Sequence, residues 1–241
     1  RGDRPVKPRI CLLLNDLAEA PAATLLERLL PSSRVVVDLA VHYPAEPERY
    51  TAIVPFNYRR LLPAETLDRV LVFHASALPQ GRGWAPIYYS IVENQPCYVV
   101  TGFRAAAAAD TGDLIVQASF PLRPEYTAAY LRQVDEPLFL QVLGRLLERW
   151  PTGDFPAIPQ SGEGTFRERR RPPDNEIDPT RPFADWIPHL RAVEAAHPAF
   201  FFYRGVKYLV EVRPEIPPAF PPPLRLEYCA SGEIEWLEDW V

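Results

Sequence analysis

In the stretch "VFHASALPQGRG" (residues 72–83), an apolar run ends on an imidazole, His74, and a Gly-Arg-Gly loop carrying Arg82 follows. Asp110 stands 36 residues beyond His74, in "DTGD". A histidine and an aspartate brought together form a general acid/base pair. The ring moves the proton, while the carboxylate orients the ring and favours its protonated form. Both residues also have structural readings: a histidine can simply close a strand, and "DTGD" reads as a turn. Arg82, and Arg170 and Arg171 in "RRRPPDNEID" (residues 169–178), offer guanidinium forks that match phosphate oxygens. Bonding to loop carbonyls, or a solvated charge run, is the competing reading for these arginines.

Whether His74 and Asp110 can meet depends on the elements around them. Residues 9–16 read as a buried strand and 22–30 as an amphipathic helix. Further strands are expected at 34–41, 50–56 and 70–74, with helices at 64–69 and 85–94. Strands at 97–103 and 114–120 and a long helix at 126–150 follow. Near-continuous apolar strands alternating with helices indicate a parallel sheet covered on both faces. Beyond residue 150 the texture changes to a Pro/Gly/Ser-rich connector, a charged segment, a helix at 183–195 around Pro188, and two hairpins. The predicted fold class is α/β: a Rossmann-like, mostly parallel sheet with helices on both faces over residues 1–150. A linker and a small mixed α+β C-terminal subdomain over 151–241 follow it. Such sheets bind ligands at the carboxyl ends of their strands, where His74 would lie.

Composition narrows the class. An apolar share of 47% and a net charge of −5 describe a packed globular chain without a basic field for nucleic acid. No apolar run reaches the ~18 residues of a membrane helix, and no signal peptide is visible. Cys11, Cys97 and Cys229 lie far apart without metal-ligand spacing. They read as free thiols in a reducing cytoplasm, and no metal is expected.

The ordered set His-x-Ser, Leu-Pro, Arg-Gly and Pro86, followed by Asp-x-Gly, resembles the folate-dependent formyltransferases. That family moves a formyl group from N10-formyltetrahydrofolate to an amine. The stretch "PFNYRRLLP" (residues 55–63) is similar to the domain that formylates UDP-4-amino-arabinose. "RRRPPDNEID", "LRAVEAAHPAFFFYRG" and "VKYLVEV" resemble the tail of sugar-nucleotide N-formyltransferases. The resemblance implies that His74 is the catalytic histidine and Asp110 the catalytic aspartate. It implies that Arg60, Leu61 and Leu62 meet the folate ring through their backbone, and that the loop with Ala107, Ala108 and Ala109 closes the other side. By composition alone those alanines equally suit a helical turn. The implied co-substrate is N10-formyltetrahydrofolate and the implied acceptor a nucleotide-linked amino sugar, with Arg82, Arg170 and Arg171 as candidate substrate contacts. A homodimer is left open.

One position departs from the pattern. The family has an asparagine two residues before the histidine, where its amide helps stabilise the developing oxyanion; here Val72 stands there. Losing one such donor typically costs on the order of 10²–10³ in rate. Asn57, directly after a neighbouring strand, is the candidate replacement. Two alternatives remain beside the sugar-nucleotide reading. One is formylation of methionyl-tRNA, against which the acidic tail "EIEWLEDWV" speaks. The other is a non-catalytic folate- or nucleotide-binding protein, motivated by Val72.

Overall fold

A computed structural model describes residues 7–240; Val241, the last residue of the acidic tail, lies outside the described residues. Strand β1 (Arg9–Leu13) is followed by helix α1 (Ala23–Leu29), β2 (Val36–Ala40) and β3 (Ala52–Pro55). The three strands pair in parallel with β1 in the middle. A parallel bridge from Ile53 to Val70 attaches β4 (Leu71–His74) beside β3. A short β5 (Arg82–Gly83) and helix α2 (Pro86–Val92) precede the long strands β6 (Cys97–Arg104) and β7 (Leu114–Pro121), and helix α3 (Ala128–Arg149) follows. After a two-residue β8 (Phe166–Arg167) come α4 (Phe183–Ala192), the hairpin of β9 (Ala199–Tyr203) and β10 (Val206–Val210), and a last hairpin of β11 (Leu224–Tyr228) and β12 (Glu233–Leu237).

The α/β layout follows the sequence expectation with two corrections. The parallel part is confined to β1, β2, β3 and the bridge to β4: within the five-stranded sheet, in the order β4, β6, β7, β11, β12, every pairing runs antiparallel, while the short β5 and β8 pair in parallel apart from it. The link from β6 to β7 spans only residues 105–113. That is short of the roughly dozen residues a parallel crossover needs. Nor do α-helices cover both faces of the parallel part. Alternation along the strands sends Ile10, Leu12, Ala52 and Val54 into a core shared with α1, α2 and α3. It sends Cys11, Leu13, Ile53 and Val70 to the other face, where tyrosines 43, 50 and 58, Leu62 and Leu67 cover them. The connection from β3 to β4 carries Pro63 and holds only a six-residue 3₁₀ turn, Ala64–Arg69. The final hairpin, expected in the tail, joins the sheet: β11 pairs with β7 and covers an edge that β7 would otherwise expose.

Helix α3 sets the strand ends that matter for the site. Phe139 stacks on Phe73 at 5.5 Å between centroids and meets Phe56 edge-on at 6.2 Å. It thereby grips the residues just before His74 and Asn57. Among the described residues, no helix is long and apolar enough to cross a membrane.

The same helix carries a titratable group packed against the sheet. Asp135 accepts a 2.5 Å hydrogen bond from the Tyr98 hydroxyl, and loss of hydration pushes its carboxyl up to about 7, with Tyr98 and Arg132 opposing. An unfolded aspartate releases its proton near pH 3.9. Between those values the folded chain holds a proton that the unfolded chain has lost, so stability falls as pH rises from about 4 to about 7. Asp135→Asn keeps an acceptor for Tyr98 but cannot charge. The variant is expected to lack that slope and to melt higher than the parent at pH 8. Thermal melts of both chains at pH 5 and pH 8 check this; parallel pH dependences would refute it.

Candidate active site

The strand registers align three polar residues at one edge of the sheet. Leu12 is level with Val54, and Ile53 with Val70. Counting forward along parallel strands puts Asn15, Asn57 and His74 side by side at the carboxyl ends. Val72 lies two residues before His74, on the same side of β4, and packs between the Leu78–Phe103–Leu114 and the Cys11–Ile53 clusters.

His74 and Asp110 meet at this edge. Nδ1 lies 3.9 Å from Asp110 Oδ1, an ion-pair distance but longer than a hydrogen bond, with the two side chains 12% and 16% exposed. Nε2 lies 2.9 Å from the Gly81 carbonyl. A carbonyl can only accept, so Nε2 carries the hydrogen. When the ring gains its second proton, that N–H faces the Asp110 carboxylate.

Asp110 is positioned more tightly than His74. It takes the left-handed conformation, at φ 56°, in a connection with no regular structure. The Gly83 N–H donates to its Oδ2 at 2.9 Å, and Gln160 Nε2 donates to its carbonyl at 2.9 Å and to that of Gly112 at 2.8 Å. Arg82 Nη2 donates to Gln160 Oε1 at 2.5 Å, which turns the Gln160 amide so that its NH₂ faces the loop. Gly112 allows the loop to close: a Cβ there would fall 1.6 Å from the Arg104 carbonyl oxygen. Gly83, at φ 95°, is the other special backbone position, and a Cβ there would meet the Arg167 carbonyl at 2.4 Å.

The other residues singled out in the sequence lie as follows. The Asn57 side chain is exposed, and its carbonyl accepts from Asn15 Nδ2 at 2.9 Å. Arg60 donates to the Val41 carbonyl at 2.9 Å, Leu61 is 99% exposed, and Leu62 packs on the Cys11–Ile53 cluster. Ala107, Ala108 and Ala109 form an exposed loop, not a helical turn. Leu62 and Ala105 share that cluster with Val72, so the two segments expected to line a folate pocket flank the strand that carries His74. Arg170 lies over the Tyr88 ring at 3.4 Å and donates to the Asp174 carbonyl and to Asn175 Oδ1. Arg171 is exposed.

Three positioning residues were not singled out in the sequence. Gln160 sits in the Pro/Gly-rich connector, where nothing in its surroundings distinguishes it. Asn15 closes β1, and its Oδ1 accepts from the Arg59 N–H at 2.8 Å; an amide at the carboxyl end of an apolar strand was a readable signal. Thr101 is fully buried beside His74 in the β4–β6 register, donates to the Ser76 carbonyl at 2.6 Å, and so ties down the turn after His74. A polar cavity of about 190 Å³ lies behind the Gly81 loop, lined among others by Ser76, Gln80, Glu93, Thr165 and Arg167.

No protein-family model matches the chain. A methionyl-tRNA formyltransferase from Koribacter versatilis (strain Ellin345) is 31% identical over 164 residues, spanning 66% of this chain and 53% of that protein. Over that span the chain is similar to a formyltransferase. Solved formyltransferase structures share its fold. A methionyl-tRNA formyltransferase from Clostridium thermocellum superposes with a TM-score of 0.69 at 19% identity, covering 97% of this chain and 100% of that one. A sugar N-formyltransferase from Shewanella sp FDAARGOS_354 gives 0.68 at 15% identity, covering 87% and 98%. HypX from Aquifex aeolicus in complex with tetrahydrofolic acid gives 0.66 at 24% identity, covering 85% of this chain and 37% of HypX. The chain spans about half the length of the curated relative from Koribacter versatilis.

Proposed function

We propose that this chain transfers a formyl group from N10-formyltetrahydrofolate to the amino group of a nucleotide-linked amino sugar. The observation that carries the proposal is the meeting of His74 and Asp110 at the carboxyl edge of the sheet, 3.9 Å apart and largely shielded from water. The family's chemistry, and the tetrahydrofolic acid bound by HypX, support folate as the donor. The exposed Leu61 and the side-chain-poor loop at Ala107–Ala109 suit a pocket that contacts a planar ring through backbone groups.

In this reading the acceptor's neutral amine attacks the formyl carbon. A new C–N bond forms and the bond to folate N10 breaks. His74 takes the proton lost by the amine and delivers it to the departing nitrogen. Asp110, locked by Gly83 and Gln160, holds the ring while it is charged. Arg82 acts one step removed, by orienting Gln160.

A second reading, formylation of methionyl-tRNA, is favoured by the named relative at 31% identity. The net charge of −5 works against a tRNA backbone more than against a small acceptor carrying one diphosphate. Steady-state turnover with N10-formyltetrahydrofolate and a panel of UDP- and dTDP-linked amino sugars, against charged methionyl-tRNA, separates them. Formylation of a sugar nucleotide supports the proposal; formylation of methionyl-tRNA alone overturns it.

Val72 gives a finer test. Val72→Asn would place an amide beside the strand end that carries His74. If oxyanion stabilisation limits the reaction, kcat is expected to rise about tenfold or more, with little change in KM. The exposed Asn57 side chain, level with His74, is the other candidate donor; if it supplies the amide, Val72→Asn should do little and Asn57→Ala should be severe. Val72 packs between two apolar clusters, and an unpaired amide there costs ~1–3 kcal/mol, so a melting curve accompanies the kinetics. A severe loss in Asn57→Ala would show that Asn57 already supplies the missing donor.

A further inference from the structure

Two large aromatic side chains stand exposed beside the clamp on Asp110. Trp84, 51% exposed, directly follows Gly83, the residue whose N–H holds the Asp110 carboxylate. Phe166, 63% exposed, pairs alongside in β8, and its ring leans so far across that a Cβ on Gly83 would come within 3.0 Å of it. The backbone fixes the pair: the Trp84 N–H donates to the Arg167 carbonyl at 3.0 Å. Core packing does not account for two rings left this open. An exposed large apolar side chain is unremarkable alone, but two together beside a reactive pair mark a surface for a ligand.

The cations around these rings are unequally engaged. Arg82 is taken up by Gln160, Arg167 by Glu93 and the face of Tyr89, and Arg170 by Asn175 and Tyr88. Arg169 differs. Its guanidinium lies 5.0 Å from the Trp84 ring centre, and it has no hydrogen-bond or ion-pair partner among the described residues. An arginine held over an indole and otherwise unpaired keeps its donors for an anion.

We infer that Trp84 and Phe166 form a stacking platform for the planar base of the acceptor, with Arg169 engaging its diphosphate. The inference rests on the acceptor being nucleotide-linked. The arrangement is consistent with the requirements of the reaction. Donor and acceptor must both reach His74, and the platform adjoins the Gly83–Asp110 clamp that faces His74.

The test is direct binding, independent of turnover. Calorimetric titrations of UDP, dTDP, GDP, CDP and ADP, and separately of tetrahydrofolate, are run on the full chain and on Trp84→Ala, Trp84→Phe and Arg169→Gln. Base–aromatic stacking is worth ~1–3 kcal/mol per base, so Trp84→Ala is expected to weaken the preferred diphosphate about tenfold or more. Trp84→Phe should recover much of the loss, and Arg169→Gln should weaken binding and flatten its salt dependence. Tetrahydrofolate affinity should be unchanged throughout. The inference is overturned if no diphosphate binds the parent chain, if Trp84→Ala leaves diphosphate affinity intact, or if tetrahydrofolate affinity falls instead. Failure of formyl transfer with this binding pattern intact would count against the proposed reaction and leave the platform standing. Because Trp84 is half exposed, its replacement should not unfold the chain, and a melting curve confirms it.

Discussion

His74→Ala is expected to lower kcat for formyl transfer by about 10²–10⁴-fold, the usual contribution of a positioned acid/base group. Tetrahydrofolate affinity should be nearly unchanged. Nδ1, 3.9 Å from Asp110, makes no hydrogen bond there, while Nε2 is hydrogen-bonded to the Gly81 carbonyl; the side chain is only 12% exposed, so it offers a bound ligand little contact area. Its value lies in the proton and the charge it carries on the way to product, and such interactions appear in kcat more than in binding. Removing it leaves Asp110 in place, because the Gly83 N–H and Gln160 hold the aspartate without help from the imidazole. Single-turnover kinetics with saturating donor, beside a tetrahydrofolate titration, make the comparison. An equal loss of binding and turnover would remove His74 from the role of proton carrier.

Gly112→Ala is expected to be nearly as damaging, by a different route. The added methyl would sit 1.6 Å from the Arg104 carbonyl oxygen, and that is rigid strand backbone rather than a flexible side chain. The loop must therefore move, and Asp110, two residues away, moves with it. The Arg104 N–H bond to the Asp113 carbonyl at 2.9 Å and the Gln160 contacts would be strained together. Overpacking usually costs ~1–3 kcal/mol. A clash with backbone should reach the top of that range and be accompanied by a large drop in kcat. Gly162→Ala is the control, since a Cβ there meets nothing within 4 Å and costs only the strain of its φ of 86°. Melting temperature and kcat of the two variants are compared. A Gly112→Ala chain as stable and as active as Gly162→Ala would show that the loop around Asp110 is looser than its contacts imply.

Much of the fold was legible because its signals are local. The apolar runs at 9–16 and 70–74 became β1 and β4, the periodic stretch at 126–150 became α3, and Arg204-Gly205 became the turn of a hairpin. Each of these depends on the order of side chains along a few turns or strand residues. The direction of the later strands was not legible in this way. An apolar run has the same composition whether it pairs parallel or antiparallel, and the choice for β6 and β7 lay in the length of the link between them. The cover on the second face was misjudged for a related reason. Residues 64–69 have the composition of a helix, but they follow Pro63 and run straight into β4, and they form only a six-residue 3₁₀ turn.

The site divides along the same line. His74 and Asp110 were candidates by residue type, and it was the resemblance carried by their short motifs that marked them as a pair. The alignment of Asn15, Asn57 and His74 needed the registers of three strands that are distant in sequence. Arg82, Arg170 and Arg171 looked alike as charged residues, yet two of them are engaged inside the protein, by Gln160 and by Asn175 with Tyr88, while the one lying over an exposed indole is Arg169. Sequence by itself determined which atoms are available to carry a proton and which segments form strands and helices, because those properties belong to single residues and their near neighbours. Only the tertiary structure decided which cations are already paired, which aromatic rings are left open, and that Gln160, in an unremarkable connector, locks the loop of Asp110. Those outcomes depend on contacts between residues dozens of positions apart, and a list of residues does not contain them.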